Sequence, residues 1–276
     1  MFRLSFLALS DEDPRPDVEP LPDRIRSLFA GTPTPTLDLV ADVIAGLATP
    51  AVEPGLVPTL LDDLASTAPS IDSVADLLRF VFSDLGFRGN RQDYYDPGNS
   101  YLHQVIERRL GIPITLSLVA IEIGRRWGQH LEPIGFPGHL LLGQRDGRLF
   151  YDTFEGGRPV GRAECGELLH RQFPDAILED GHLAPMTASE VALRMVGNLK
   201  QIHLAAGDIS ATIRAAEIGA ALPDAPVALV LELAKLLSVA GRFDHAAALH
   251  ARLVQLDPGH AAQHQQALTR LRAHQN

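Results

Sequence analysis

His139 and Asp152 carry the clearest chemistry in this sequence. They lie on two stretches, 139–145 and 148–153, that flank Asp146-Gly147. That dipeptide favours a two-residue hairpin turn. If the turn forms, Arg145 faces Arg148 and Asp152 faces Leu141. His139 then lies two residues along on the same face as Leu141, so His139 and Asp152 are diagonal neighbours within side-chain reach. An imidazole oriented by a carboxylate can move a proton near neutral pH. The same pair can also lock a loop to a strand or line a ligand pocket, so the pair alone leaves catalysis and binding both open.

A second group sits upstream, in Asn90-Arg-Gln-Asp-Tyr-Tyr-Asp-Pro-Gly-Asn-Ser-Tyr101. The segment is too polar for a core and too aromatic for an idle linker. Tyr94, Tyr95 and Tyr101 offer stacking faces, and Arg91 offers an anion clamp. With Asn90, Asp93, Asp96 and Asn99 they are the candidate binding residues. The structural alternative is a plain loop in which Asp93 and Asp96 cap turns, Asn99 or Ser100 caps the next helix, and Arg91 pairs with Asp96. Five histidines near the C-terminus (His245, His250, His260, His264 and His274) raise the question of a metal. His260 and His264 share a helix face at a spacing of four, but no third ligand stands at a fixed distance, and solvated helix surface is the expectation. No metal and no cofactor are expected, and no phosphate-binding glycine motif occurs. The single cysteine, Cys165, excludes an internal disulfide and a multi-cysteine zinc site, and reads as a small buried apolar residue.

The elements that must position these groups fall into three parts. Residues 1–88 form an N-terminal helical region. Its residues 11–35 are rich in Pro, Asp and Thr, with only Ile25, Leu28 and Phe29 reading as buried. Three helices follow: one capped by Thr36 that carries Leu37, Val40, Val43, Ile44 and Leu47, one near 58–65, and one starting at Ser70 or Asp72 that carries Val74, Leu77, Leu78 and Val81. Their apolar spacing of three and four is helical. Residues 89–182 hold the polar-aromatic segment, a short helix over 100–109, and a helix over 114–127 that is apolar almost all round and therefore buried. Strands follow over 130–135, 139–145 and 148–153. Residues 187–276 are helical and contain a repeat: Leu204-Ala-Ala-Gly-Asp-Ile209 matches Ser238-Val-Ala-Gly-Arg-Phe243 at an offset of 34, the period of the TPR. So short an array needs the middle part to pack on.

With 34 acidic and 24 basic residues the chain carries a formal charge of −10. That argues against nucleic acid as a partner. No apolar run reaches membrane-span length, and Met1–Ser10 is too short in apolar residues for a secretory signal. The expectation is a cytoplasmic protein with no membrane partner, and nothing sets its oligomeric state.

The middle part resembles a known family. Asn90–Leu102, Glu107-Arg-Arg-Leu-Gly-Ile-Pro-Ile-Thr-Leu-Ser117, Gly135-Phe-Pro-Gly-His139 and Tyr151-Asp-Thr-Phe-Glu-Gly-Gly157 are similar, in order and spacing, to the motifs of the SirB-type transglutaminase-like family. The resemblance covers roughly residues 60–270, including the C-terminal TPR-like module. It implies an α+β fold, with a papain- or transglutaminase-like core built from a buried helix and a small antiparallel sheet, N-terminal helices, and C-terminal TPR-like hairpins. It also implies a nucleophilic cysteine at the start of the buried helix, with His139 and Asp152 in the following histidine and aspartate positions. No cysteine stands near Gly111-Ile-Pro113, and Cys165 comes too late in the chain order. The hydroxyls nearest the helix start are Thr115 and Ser117, and a hydroxyl needs a well-placed base to act. The alternative is that Thr115 bonds within the first turn and Ser117 packs. The resemblance therefore implies a non-catalytic transglutaminase-like protein that binds a protein or peptide. The competing readings are an acyl-transfer or amide-hydrolysing enzyme using Thr115 or Ser117 with His139 and Asp152, and a small-molecule-binding regulator using Arg91 and the tyrosines.

Overall fold

The computed structural model of the chain describes residues 19–49, 51–144, 149–223 and 225–273. Met1–Ser10, the acids at 11–13, the Asp146-Gly147 turn and His274 lie outside the described residues.

Four helices open the described chain: α1 (Leu21–Ala30), α2 (Leu37–Ala45), α3 (Leu56–Ser66) and α4 (Val74–Arg79), the last running on into a π-helical turn over Phe80–Asp84. α1 falls where no helix is expected from the sequence. Its first turn contains Pro22, tolerated there because the first amides of a helix have no intrahelical acceptor, and Ile25 anchors it with no exposure. The cap of α4 is Ser73, whose side chain accepts from Asp76 N, rather than Ser70 or Asp72. Thr36 occupies the cap position of α2 without capping it through its side chain. Glu122 does that work from a distance, accepting from Leu37 N at 3.0 Å.

The middle of the chain holds β1 (Arg88–Gly89), α5 (Leu102–Arg108), β2 (Leu110–Gly111) and α6 (Pro113–Arg126). β1 and β2 form a short parallel pair, with Gly89 opposite Gly111. Every residue of α6 from Pro113 to Gly124 is buried. The sequence reading of this helix as apolar overlooks Glu122. That carboxylate is buried because Arg125 (2.8 Å) and Arg126 (3.1 Å) bind it from the last turn of the helix, and both arginines also reach Asp38 of α2. A buried charge survives only when it is paired and hydrogen-bonded, and this network clamps α2 to α6.

A four-stranded antiparallel meander follows: β3 (Leu131–Ile134), β4 (Leu141–Gln144), β5 (Phe150–Asp152) and β6 (Arg158–Val160). β4 pairs with β5 through Leu142–Tyr151 and Gly143–Phe150, the register that a two-residue Asp146-Gly147 turn dictates. β6 escapes the sequence reading because it is only three residues long and contains Pro159, which an edge strand tolerates. Side chains alternate across the sheet. Leu131, Leu142 and Tyr151 join the main core with α6, while Ile134, Leu141, Phe150 and Val160 pack with Cys165 and Leu169 of α7 (Arg162–Gln172). The sheet thus lies between two helices.

Five helices complete the described residues: α8 (Ala188–Ala205), α9 (Ile209–Ala221), α10 (Val227–Val239), α11 (Phe243–Leu256) and α12 (Ala261–Ala273). Each packs on the next. α8 also buries Val191, Ala192, Met195, Val196 and Leu199 in the core shared by α1 to α6. The repeat at an offset of 34 is built twice. Gly207 (φ 75°) and Gly241 (φ 74°) occupy the same left-handed position between helices, where a side chain would be strained. Asp208 N donates to His203 O at 2.9 Å, and Arg242 N donates to Leu237 O at 2.8 Å. Among the described residues no helix is long and apolar enough to cross a membrane.

Candidate functional site

The site forms where β4, β5, the 90–101 loop and α8 meet. His139 sits just before β4, at the end of a turn in which its amide donates to Phe136 O at 3.1 Å. Asp152 ends β5. The structure brings the two together, with His139 Nε2 standing 3.1 Å from Asp152 Oδ1. Nε2 is buried and meets the carboxylate in a close polar contact. Asp152 is 7% exposed at its side chain and His139 is 23% exposed. Since Nε2 is sealed from solvent, the rest of the imidazole accounts for that opening. Asp152 Oδ1 also accepts from Phe154 N at 3.0 Å and Glu155 N at 3.2 Å. Burial alone would raise the Asp152 carboxyl. The His139 ring beside it and the two amides outweigh burial and hold it below the ordinary carboxylate value.

The hydroxyls at the start of α6 are engaged elsewhere. Thr115 Oγ1 donates to Asn99 O at 2.7 Å and accepts from Ile112 N at 3.2 Å. Ser117 Oγ and Thr153 Oγ1 share a hydrogen bond at 3.0 Å, and Thr153 Oγ1 in turn reaches Pro113 O at 3.1 Å. Both candidate nucleophiles are fully buried, and neither has His139 as a hydrogen-bond partner. Cys165 lies on α7 in the apolar layer behind the sheet, and burial pushes its thiol up to about 11.

The 90–101 loop divides into a scaffold and a face. Asn90 Nδ2 donates to Asn99 Oδ1 at 3.0 Å, Asn90 Oδ1 accepts from Asp93 N at 3.1 Å, and Asn99 Nδ2 donates to Asp93 O at 2.7 Å. These buried amides set the shape of the loop. Asp96 caps the turn at Gly98 N and pairs with Arg108. The expected Arg91–Asp96 pair does not form, because Arg108 from the neighbouring helix already occupies Asp96. Arg91 instead binds Glu155 at 2.5 Å and lies over the Phe154 ring, 5.1 Å from its centre. Tyr94 packs edge-on against Phe154 (5.8 Å) and Tyr95 (5.4 Å). Tyr95 is 76% exposed. Tyr101 turns inward, its phenol 3.2 Å from His203 Nε2, and burial pushes that phenol up to about 12. A Cβ at Gly89 would come within 2.5 Å of the Phe154 ring. This close approach seats the aromatic face beside Asp152.

Arg194, Phe154 and Glu155 border the site and escape the sequence reading. Phe154 and Glu155 follow Asp152 directly in the motif, a signal that could have found them. Arg194 has no such local signal. It comes from α8, 55 residues after His139, and donates to His139 O at 2.6 Å.

His245 and His260 lie on exposed helix surface as expected, but two other C-terminal histidines correct that expectation. His250 and His264 are buried, with ring centres 5.6 Å apart, and His264 Nε2 lies 3.2 Å from Asp257 Oδ2. Packing of α11 on α12 turns these positions inward. Among the described residues no group of histidine, cysteine and acidic side chains is arranged to hold a metal ion.

Comparison with known proteins adds a family. A family model described as the transglutaminase-like superfamily matches residues 54–197, just over half of the chain, and takes in every site residue from Asn90 to Arg194. The UPF0162 protein of Xylella fastidiosa (strain 9a5c) is 40% identical over 136 residues, which is 47% of this chain and 48% of that protein. UPF0162 protein PA3419 of Pseudomonas aeruginosa is 34% identical over 158 residues, 57% of each. F-box only protein 21 of Homo sapiens is 37% identical over 137 residues, 46% of this chain but 21% of that protein. The match thus spans about half the length of the UPF0162 relatives and about a fifth of the F-box protein. A crystal structure of menin aligns at a TM-score of 0.40 and 12% identity, covering 91% of this chain and 69% of that one. That likeness is too loose to carry fold or function across.

Proposed function

The chain belongs to the transglutaminase-like superfamily, and from that membership we propose that it is a SirB-type member that works without catalysis, binding protein or peptide. The observation that carries the reading is an intact His139–Asp152 contact with no nucleophile on it. The lone thiol is buried behind the sheet, and the hydroxyls of Thr115 and Ser117 are spent on internal hydrogen bonds. A thiol or hydroxyl must be exposed and deprotonated to attack. What faces outward at the same place suits recognition: Tyr94 and Tyr95, with Arg91 and Glu155 beside them. Large amphipathic aromatic side chains with a charged neighbour are the usual anchors of peptide contact. We read helices α8–α12 as a TPR-like module, supported by the period of 34 and the twice-built glycine turn, and such surfaces also hold peptide segments. No cofactor, metal or nucleic acid has a part in this reading. We place its action in the cytoplasm.

The test uses the full chain on an array of tethered extended peptides. Capture that is lost on replacing Tyr94 and Tyr95 together by Ala supports binding, and no capture overturns it. Labelling with acylating probes, read by intact mass, tests the rival enzyme. An adduct on Thr115 or Ser117 that disappears in His139→Ala would make this an acyl-transfer or amide-hydrolysing enzyme. The closeness of Asp152 to His139 is the observation that favours that alternative, since a carboxylate beside the ring is what a histidine base needs.

A further inference from the structure

Arg194 is a half-buried cation beside the site whose bonding is incomplete. Three arginines near the same site each hold a carboxylate: Arg91 with Glu155, Arg108 with Asp96, and Arg158 with Glu164. Arg194 holds none among the described residues, and the one titratable group that acts on its charge is the Tyr94 phenol. Its Nη2 donates to His139 O. Its Nε and Nη1 have no hydrogen-bond partner among the described residues, and neither is fully sealed from solvent. A guanidinium carries five N–H donors in a planar fork suited to carboxylates. Taking such a group partly out of water without a counter-ion is unfavourable, and a bound anion would offset that cost. The aromatic face stands next to it. Tyr94 is close enough for Arg194 to counter the upward push that burial gives its phenol, and Tyr94 packs on Phe154.

We propose that Arg194 is the anion receptor of this site, its open N–H donors taking a carboxylate of the bound chain while a neighbouring apolar or aromatic group rests on Tyr94 and Phe154. The proposal rests on the peptide-binding reading and names the chemistry recognised there. It differs from a purely structural strut, for which the single bond to His139 O would suffice.

The probe is 3-phenylpropionate, compared with its neutral amide, 3-phenylpropanamide. Each is titrated into the isotope-labelled full chain and followed by NMR at the arginine Nε–Hε signals and at the Phe154 and Glu155 amides. Saturable binding of the acid that moves the Arg194 signal is expected, with the amide at least about tenfold weaker, as loss of one charge-assisted hydrogen bond requires. Arg194→Gln should abolish the preference, and Arg79→Gln, on an exposed part of α4, should keep it. If Arg194→Gln does not fold, Arg194→Lys keeps the charge but loses the fork, and an intermediate preference is expected. Equal binding of acid and amide, or a preference that survives in Arg194→Gln, overturns the proposal. On the peptide array, an amidated peptide with an internal acid is compared with a neutral peptide ending in a free carboxylate, which identifies the source of the anion. Peptides captured without any dependence on a carboxylate would sink this inference and leave the peptide reading standing. Acid binding through Arg194 with no peptide captured would do the reverse.

Discussion

Replacing Asp152 separates its two jobs, holding the turn after β5 and facing His139. Its Oδ1 accepts from the amides of Phe154 and Glu155. A hydrogen bond to a charged acceptor contributes about 1.5–3 kcal/mol net. Glu155 is exposed, so water can replace much of its bond, whereas Phe154 is packed against Tyr94 and Arg91. Asp152→Ala should therefore cost about 2–4 kcal/mol, or roughly 5–15 °C in melting temperature for a chain of this size. Asp152→Asn keeps an oxygen for both amides and loses only the charge, so it should cost about 1 kcal/mol. The carboxyl sits lower when folded than when unfolded. Its contribution is therefore present above the ordinary carboxylate value and is lost as pH falls through the folded value. The gap between wild type and Asp152→Ala should narrow on acidification. Urea unfolding at several pH values measures this. If both variants fall within about 0.5 kcal/mol of wild type, the turn does not depend on Asp152. If Asn is as costly as Ala, the charge facing His139 outweighs the two amides, and the assignment of Asp152 to the turn is wrong.

Other consequences are equally direct. Burial would by itself raise Asp38, but Thr36, Arg126 and Arg125 outweigh it and hold the carboxyl below 3.8. Its stabilisation is thus present above that value and lost as pH falls through the folded one, so acid unfolding of Asp38→Asn should show a shallower pH dependence than wild type. Cys165, its thiol pushed up to about 11 in the apolar layer, should resist a thiol reagent at pH 8 in the folded protein and react at once after denaturation. Gly89→Ala would drive a methyl into the Phe154 ring and should cost about 1–3 kcal/mol, with the Tyr94 and Phe154 amide signals shifting together. Gly207→Ala and Gly241→Ala, at matching left-handed positions, should each lose about 1 kcal/mol in thermal melts.

Much of the scaffold was legible in the residues because it is local. Spacing of three and four marked α2, α3 and α4, an apolar run marked α6, and the Asp146-Gly147 signal predicted the β4–β5 register that brings His139 to Asp152. Motif order pointed to the transglutaminase-like superfamily, and the absence of a cysteine ahead of α6 was visible without coordinates. β6 and the parallel β1–β2 pair were not legible, since two or three residues are too few to show a period.

The remaining features arise between segments far apart in the chain. Glu122 looks like an interruption in an apolar helix until Leu37 N and two arginines are placed around it. Arg91 has an acid five residues away in sequence yet pairs with Glu155, because Arg108 takes Asp96 first. His264 sits at a spacing that reads as surface, and only the packing of α11 on α12 turns it inward. Arg194 reaches His139 across 55 residues. Sequence by itself determined most of the helices, though not α1 or α7, together with the hairpin register and the missing thiol, because propensity and pattern act over a few residues. The tertiary structure alone decided which charges are paired, which hydroxyls are spent and which cation is left open, because those depend on what the fold brings within about 3 Å.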